Sequence, residues 1–480
     1  MSAQRMGALL GRWVDGDEPL HQSLTSALTR VIDRGEIPAE TLLPTERELA
    51  SELGVSRTTV VTAYRTLKLT GKLASRQGRG TWIPAAASAA RAGTAARVTP
   101  ELFGSMLAAD DRHLIDLTAA CPLPSPVLVS AVRELTGADM AEGMTGRGYL
   151  PAGLPALRAA IAERYTAQGL PTAPEQIVVT NGGQQAIALT VSLLVSPDAA
   201  VVTEDPTYPG ALDQLRGRGA RILGVPVDDG GMVVDGLEGL VAHQRPALMY
   251  LVPSFHNPTG CLLAPDRGER IAEVSARTGV PVIEDEILRD IWIQGRRPGP
   301  YLAAHRASAP IITIGSLSKT LWGGLRLGWL RAPRSLAERL AQMRLMADLG
   351  GPIPMQALAL RLMPLLDEAA VRRRELVRRA ADAAMAEMAL GLPEWEVSEP
   401  LGGATLWPRM PWGDARSFAQ AALRAGVVIL PGPAMSTTGG HADRMRLSLL
   451  GEPEELREGI RRLGAAWVSY QAAAHRPVIV

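Results

Sequence analysis

The sequence predicts an α/β protein in two parts: a small helix-turn-helix module, then a larger domain on a mainly parallel sheet with helices on both faces. Two patterns lead there. From position 114 onward, short β-branched runs alternate with Ala-, Leu- and Arg-rich helical runs. The apolar runs are Ile177-Val178-Val179, Ala200-Val201-Val202, Leu248-Met249-Tyr250-Leu251-Val252, Val280-Pro281-Val282-Ile283 and Ile311-Ile312-Thr313-Ile314. Short buried strands separated by helices mark a parallel sheet covered on both sides. Ahead of them, residues 19–84 hold three short helical patterns and end in a Gly-rich hairpin. A chain of 480 residues also exceeds what one core organises. The expected boundaries are 15–84 for the module, 85–112 for a linker and 113–480 for the large domain. The linker is Ala-rich with few large apolar residues, so it has little surface to bury.

Composition narrows the classes. A hydrophobic content of 46% and a charged content of 21% fit a globular protein. Lys+Arg number 50 against 49 Asp+Glu, so only a local cluster of charge can point to nucleic acid. Cys121 and Cys261 are too few for a disulfide framework and lack metal-ligand spacing. They read as buried or idle thiols, and no metal is expected. No apolar run approaches the roughly 18 residues of a membrane span. The N-terminus lacks a basic stretch followed by an apolar one, so a cytoplasmic protein without a membrane partner is expected.

In the first module, Leu24, Leu28, Val31 and Ile32 share one face of a helix over 19–34, which Gly35 ends. In Leu43-Pro44-Thr45-Glu46-Arg47-Glu48-Leu49-Ala50, Thr45 and Glu48 have capping-box spacing and start a second helix. Gly54 stops it. Ser56 caps a third helix running to Leu69, with Val60, Tyr64 and Leu67 facing inward. Two short helices joined by Gly54-Val55-Ser56 form a helix-turn-helix, whose second helix enters the major groove. From Ser56 to Pro84 the charged residues are Arg57, Arg65, Lys68, Lys72, Arg76 and Arg79, with no Asp or Glu. A surface of one sign suits a phosphate backbone. Residues 73–83 read as a two-stranded wing with a basic tip. A small helical domain with merely solvated charges would satisfy the same pattern.

The segment resembles the DNA-binding domain of the GntR family of bacterial regulators. The resemblance rests on LPTERELA at 43–50, SRTTV at 56–60 and GRGTWI at 78–83. It implies double-stranded DNA as a partner, contacted by Arg47, Arg57, Thr58, Thr59 and the backbone of Gly78, Arg79 and Gly80, with Arg76 beside them on the wing.

In the large domain, Lys319 sits in Ser316-Leu317-Ser318-Lys319-Thr320, just after the strand 311–314. A lysine there can be desolvated and held near a carbonyl-bearing cofactor; alone it would pass for a solvated loop lysine. Asn181-Gly182-Gly183-Gln184 lies where a strand hands over to a helix. Backbone N–H groups at such a junction bind phosphate, although a tight turn is the plain reading. Arg326 follows seven residues after Lys319 and can reach the same phosphate with its planar fork. Asp285 ends the strand 280–283 at the sheet edge where open α/β folds bind ligands. A carboxylate there keeps a pyridinium nitrogen protonated. Asn257 can donate to a phenolate oxygen, and Tyr208 can stack on an aromatic ring.

These motifs, in this order, resemble the class I aminotransferases of fold type I, which bind pyridoxal 5'-phosphate, from about position 114 to the C-terminus. The resemblance implies Lys319 as the aldimine-forming lysine, Asp285 on the ring nitrogen, Asn257 on the ring oxygen and Tyr208 over the ring. It assigns the phosphate to Gly182, Gly183, Gln184, Ser316 and Arg326, and a substrate or effector carboxylate to Arg446. It also implies a smaller C-terminal α+β subdomain, in which Gly402-Gly403 and Pro431-Gly432-Pro433 are supporting loops. The sequence departs from the pattern in one place. Such proteins usually carry a tyrosine two or three residues after the aspartate, and here Ile287 and Leu288 stand there.

The Arg-rich run 371–379 offers a second basic surface, read as a solvated helix face with an auxiliary DNA contact as the alternative. The order of the two domains resembles the MocR/PdxR group of regulators. That implies head-to-tail homodimers and a transcriptional regulator sensing pyridoxal phosphate or an amino compound through aldimine chemistry. A working aminotransferase with an accessory DNA-binding domain is the other reading.

Overall fold

A computed structural model describes residues 1–11, 13–14, 18–33, 36–37, 41–76, 80–84, 114–141, 144, 146–293, 295 and 297–474. The expected linker, Gly78 and Arg79 lie outside them. The N-terminal module comprises α1 (Ala3–Leu10), α2 (Leu20–Asp33), α3 (Glu46–Glu52), α4 (Arg57–Leu69) and the hairpin β1 (Ala74–Arg76) and β2 (Gly80–Trp82). Its core joins Leu24, Leu28, Leu49, Val60, Tyr64 and Leu67. Met6, Leu10 and Trp13 enter the same core, so it takes in α1, ahead of the boundary expected at 15. The capping box forms as read: Glu48 N–H donates to Thr45 Oγ1 at 3.3 Å, and Thr45 N–H to Glu48 Oε2 at 2.9 Å. Ser56 Oγ accepts from Thr59 N–H at 3.1 Å and starts α4. Tyr64 turns inward and donates its hydroxyl to Pro44 O, which ties α4 to the start of α3.

The large domain carries an eight-stranded sheet in the order β4-β11-β10-β9-β8-β5-β6-β7. The strands are β4 (Ile177–Thr180), β5 (Ala200–Asp205), β6 (Arg221–Asp228), β7 (Gly231–Met232), β8 (Leu248–Leu251), β9 (Val282–Asp285), β10 (Ile311–Ser316) and β11 (Gly328–Arg331). From β10 through β9, β8 and β5 to β6 every pairing is parallel. β11 lies antiparallel between β4 and β10, and β7 is antiparallel to β6. β4, β8, β9, β10 and β11 are buried along their whole length, which only helices on both faces allow. The cores on the two faces are separate clusters, one including Val179, Val202 and Met249, the other Val178, Val201 and Tyr250.

A third core forms the small domain, around the aromatic group Trp395, Phe418 and Trp467. It uses helices α6 (Leu366–Gly391), α7 (Ala415–Arg424) and α8 (Pro453–Ala474), and α5 (Gly183–Leu194) belongs to the sheet domain. Its strands β12 (Thr405–Leu406), β15 (Met445–Ser448) and β14 (Leu430–Pro431) form one antiparallel sheet. β3 (Ile115–Asp116) pairs in parallel with β13 (Val427–Val428). The first strand of the large domain thus belongs to its small part. No described helix is long and apolar enough to cross a membrane.

The Arg-rich run lies on α6, and its cations have local partners. Arg372 pairs with Glu368, Arg378 with Glu375 and Asp382, and Arg379 with Glu375. Arg374 stacks over Trp292. Arg373 is buried and donates to the carbonyls of Leu123, Thr320 and Leu321. It serves as an internal strut.

Candidate functional site

A cavity of about 520 Å³ opens at the C-terminal ends of the parallel strands, between the sheet and the small domain. Lys319, Asp285, Asn257, Tyr208, Gly183, Gln184, Arg326 and Arg446 all line it. Lys319 follows β10, and its Nζ donates to Ala120 O at 2.5 Å. Burial pulls its pKa down to about 8, with the Cys121 thiol opposing that shift. Near neutral pH a useful fraction of the amine is therefore free to attack a carbonyl.

Asp285 ends β9 and is buried. Tyr250 Oη donates to its Oδ2 at 2.9 Å, and Ile287 N–H to its Oδ1 at 3.2 Å. Burial pushes its pKa up to about 6, against these two bonds. A cationic ring nitrogen in the cavity would be the partner such a carboxylate lacks. Tyr250 is a site residue that the sequence reading missed, because it lies inside an apolar run that reads as plain core.

The phosphate end is formed by β4, α5 and the turn after Lys319. Gly182, at φ 85°, precedes the first residue of α5, whose free N–H groups face the cavity mouth. A side chain at Gly182 would meet the Arg326 guanidinium at 2.9 Å, and one at Gly183 would meet Ile287 Cδ1. Gly182 is favoured by its left-handed backbone, whereas a side chain at Gly183 would have to displace the tip of Ile287. Arg326 donates to Asn181 O at 2.9 Å, which aims it across this end. Gln184 turns its amide to other work: it donates to Gly210 O and accepts from the Tyr208 hydroxyl at 3.1 Å. That bond fixes the Tyr208 ring, whose hydroxyl burial pushes up to about 12. Ser316 does not line the cavity. Its hydroxyl donates to Leu327 O at 3.0 Å, and Ser318 takes its place on the wall.

On the small-domain side, Arg446 of β15 is fully buried. It donates to Asn257 Oδ1 at 3.3 Å and to Thr118 O, and its Nε has no partner. Burial lowers its pKa to about 10. Asn257 accepts from Arg446 through its oxygen, which leaves its amide nitrogen to act as the donor. His256 fixes the same loop, with Nε2 3.2 Å from Glu204 Oε2 and Nδ1 2.9 Å from Thr259 Oγ1. Cys121 is a free, exposed thiol that lines the cavity, while Cys261 is buried. An aldehyde-seeking lysine, a buried carboxylate for a ring nitrogen, an amide donor and a helix N-terminus with an arginine fit pyridoxal phosphate from one end to the other.

In the N-terminal module Arg57, Thr58, Arg65 and Arg76 are exposed, Thr59 is half-buried at the start of α4, and Gly80 is exposed on the wing. Arg47 is exposed on α3 as well. It lines a cleft of about 1120 Å³ between α3 and the small domain, opposite Asp414, Ser417, Arg424 and Tyr470. Arg424 Nη2 donates to Gly54 O at 3.1 Å across this junction.

Comparison with known proteins agrees with this geometry. Residues 115–463 match the aminotransferase class I and II family, and residues 20–83 match the bacterial regulatory proteins of the gntR family. The chain is 30% identical to the probable rhizopine catabolism regulatory protein MocR of Rhizobium meliloti, over 97% of either chain. It is 34% identical to the 2-aminoadipate transaminase of Thermus thermophilus, over 66% of this chain and 79% of the relative. The crystal structure of LysN, an α-aminoadipate aminotransferase of the same species, superposes with a TM-score of 0.69 at 30% identity, covering 78% of this chain and 96% of LysN. The chain therefore belongs to the class I and II aminotransferase family and, within it, to the MocR-type regulators, in which a GntR-type DNA-binding domain precedes a pyridoxal-phosphate-binding aminotransferase domain.

Proposed function

We propose that this regulator senses an amino compound, or pyridoxal phosphate itself, at Lys319 and changes its hold on operator DNA in response. The observation that carries the reading is the presence, in one chain, of an exposed basic α4 and a cavity that gathers Lys319, Asp285, Asn257, Tyr208, Arg326 and Arg446. When bound, the cofactor supplies an aldehyde that condenses with primary amines and a ring that spreads the resulting charge. The chain does the rest. Lys319 presents a partly neutral amine, Asp285 keeps a proton on the ring nitrogen, Asn257 donates to the ring oxygen and Arg446 orients a carboxylate. An effector acts only through different affinity for two arrangements of the molecule. Arg446 belongs to the small domain and Lys319 to the sheet domain, so a ligand touching both favours one arrangement of the two.

Ile287 and Leu288 favour sensing over turnover, because both line the cavity where a tyrosine hydroxyl is expected. A missing hydrogen bond to a charged ring oxygen costs about 1.5–3 kcal/mol and leaves Asn257 as its amide donor. The intact Lys319, Asp285, Asn257 and Arg446 support the second reading, a working aminotransferase. Turnover of amino-acid donors at about 1–1000 per second would establish that reading.

A head-to-tail homodimer in the cytoplasm completes the proposal. Tyr149, Trp322, Met346 and Leu349 are exposed apolar residues. Large apolar side chains left on a protein surface fit a second copy. The deciding experiment is Lys319→Ala, with DNA binding measured on the gene's own upstream region. Loss of the cofactor's visible absorbance and of the effector response, with DNA binding retained, supports the proposal. An unchanged response refutes it.

A further inference from the structure

The turn from β4 to α5 forms the phosphate end of the cavity, and two residues far along the chain hold it from its outer side. Arg344 and Asp348 lie one turn apart at the end of the helix Arg334–Asp348 and pair with each other, Arg344 Nε being 2.6 Å from Asp348 Oδ1. Arg344 is fully buried. Its other nitrogens donate to Val179 O and, at 3.1 Å, to Asn181 Oδ1. Asp348 Oδ2 accepts from Asn181 Nδ2 at 3.0 Å and from Gln185 Nε2 at 2.7 Å. Gln185 Oε1 in turn accepts from Asn181 N–H at 2.7 Å. Gly350 N–H adds a bond to Asp348 Oδ1 at 3.1 Å. Partial burial works against the Asp348 charge, yet the bonds from Arg344, Gln185 and Gly350 hold its pKa below the ordinary carboxylate value.

The pair therefore grips the turn in three places: the end of the strand, the corner, and the first turn of the helix. Asn181 and Gln185 are not wall residues of the cavity, whereas Gly183, Gln184 and Arg326 are. The grip acts through the backbone. With Asn181 fixed, the free N–H groups that begin α5 keep one direction. Asn181 O also stays 2.9 Å from the Arg326 nitrogen that donates to it, so the guanidinium keeps its aim. An anion is held more tightly by donors already in place, because less freedom is lost when it binds.

We infer that Arg344 and Asp348 are positioning residues for the cofactor's phosphate, acting through Asn181 and Gln185 on the start of α5 and on Arg326. This role needs the cofactor alone and holds whether or not an effector is sensed.

The test titrates full-length apoprotein with pyridoxal phosphate and with pyridoxal, which lacks the phosphate, reading the absorbance each gives on joining Lys319. In Asp348→Ala the amides of Asn181 and Gln185 lose an ionised acceptor, and pyridoxal phosphate should bind more weakly by about tenfold or more. Pyridoxal should bind as it does to the unaltered protein, so the preference for the phosphorylated ligand shrinks by the same factor. Asn181→Ala breaks the link to the turn and leaves the Arg344–Asp348 pair intact. It decides the matter where loss of Asp348 prevents folding. Inorganic phosphate, added as a competitor of pyridoxal phosphate, should be needed at correspondingly higher concentration in both variants. Equal weakening of the two ligands would make the pair a general support of the fold, and unchanged affinities would leave it no part in binding. Either result overturns the assignment.

Discussion

At the scale of single residues, the site is tuned by burial and then corrected by hydrogen bonds. Asp285 shows the balance, since burial raises it to about 6 and Tyr250 pulls it back. Only the ionised carboxylate pairs with a protonated ring nitrogen. Cofactor retention should therefore be complete well above pH 6 and fall in more acid solution, with a midpoint below 6 because the ring cation favours the ionised carboxylate. Tyr250→Phe removes a bond to a charged group, worth about 1–2 pH units, so the midpoint should move upward by that much. A spectrophotometric pH titration of the loaded protein checks both; an unmoved midpoint would show that Tyr250 only fills space. Lys319 works in the other direction. Its folded pKa is depressed to about 8, so the rate of cofactor capture by the apoprotein should climb as pH rises towards 8 and level off beyond it. Stopped-flow absorbance reads that profile. Lys319, Asp285, Asn257 and Arg446 were legible in the sequence because each sits within its own motif, and the structure brings all four to one cavity. Tyr250 was hidden, since a tyrosine within a buried strand gives no sign of which way its hydroxyl points.

At the scale of elements, two connections matter. The first is the segment from β3 to Leu123, which directly follows the linker. Its carbonyls engage two groups of the proposed ligand site: Thr118 O accepts from Arg446 and Ala120 O from Lys319. Arg373 of α6 holds its far end through Leu123 O at 3.1 Å. Composition could not reveal this, because backbone acceptors carry no sequence signature. The second is the α3–α7 contact. Gly54 has φ 61°, and a side chain there would lie 3.2 Å from Ser417 O, so the turn of the helix-turn-helix sits against the small domain. Arg424→Ala removes the donor to Gly54 O. It should loosen α3 by about 1 kcal/mol, read as faster hydrogen exchange in α3 with the large domain unchanged. Identical exchange in both proteins would mean the contact holds nothing. Within the module, Thr45→Ala should lower stability by about 1 kcal/mol through loss of the cap, seen in thermal unfolding.

At the scale of the whole molecule, net charge is a poor guide, since +1 overall conceals the basic run between Ser56 and Pro84. Affinity for DNA should fall steeply with salt, and Arg57→Ala should reduce the log–log slope by about 0.9 if that guanidinium meets one phosphate. Anisotropy titrations at several salt concentrations measure it, and an unchanged slope would remove Arg57 from the phosphate contacts.

The sequence by itself determined the α/β class, the two modules, the capped helices of the first and the strand-end residues of the second. These follow from periodicity, turn chemistry and side-chain type, all of which are local. Only the tertiary structure decided that α1 shares the first core, that Ser316 turns away while Ser318 and Cys121 face the cavity, and that Arg47 lines a domain junction. It alone showed the arginines of α6 paired or buried and Arg446 short of one partner. The reason is physical: direction, pairing and burial are set by neighbours far apart in the chain, and no residue type announces them.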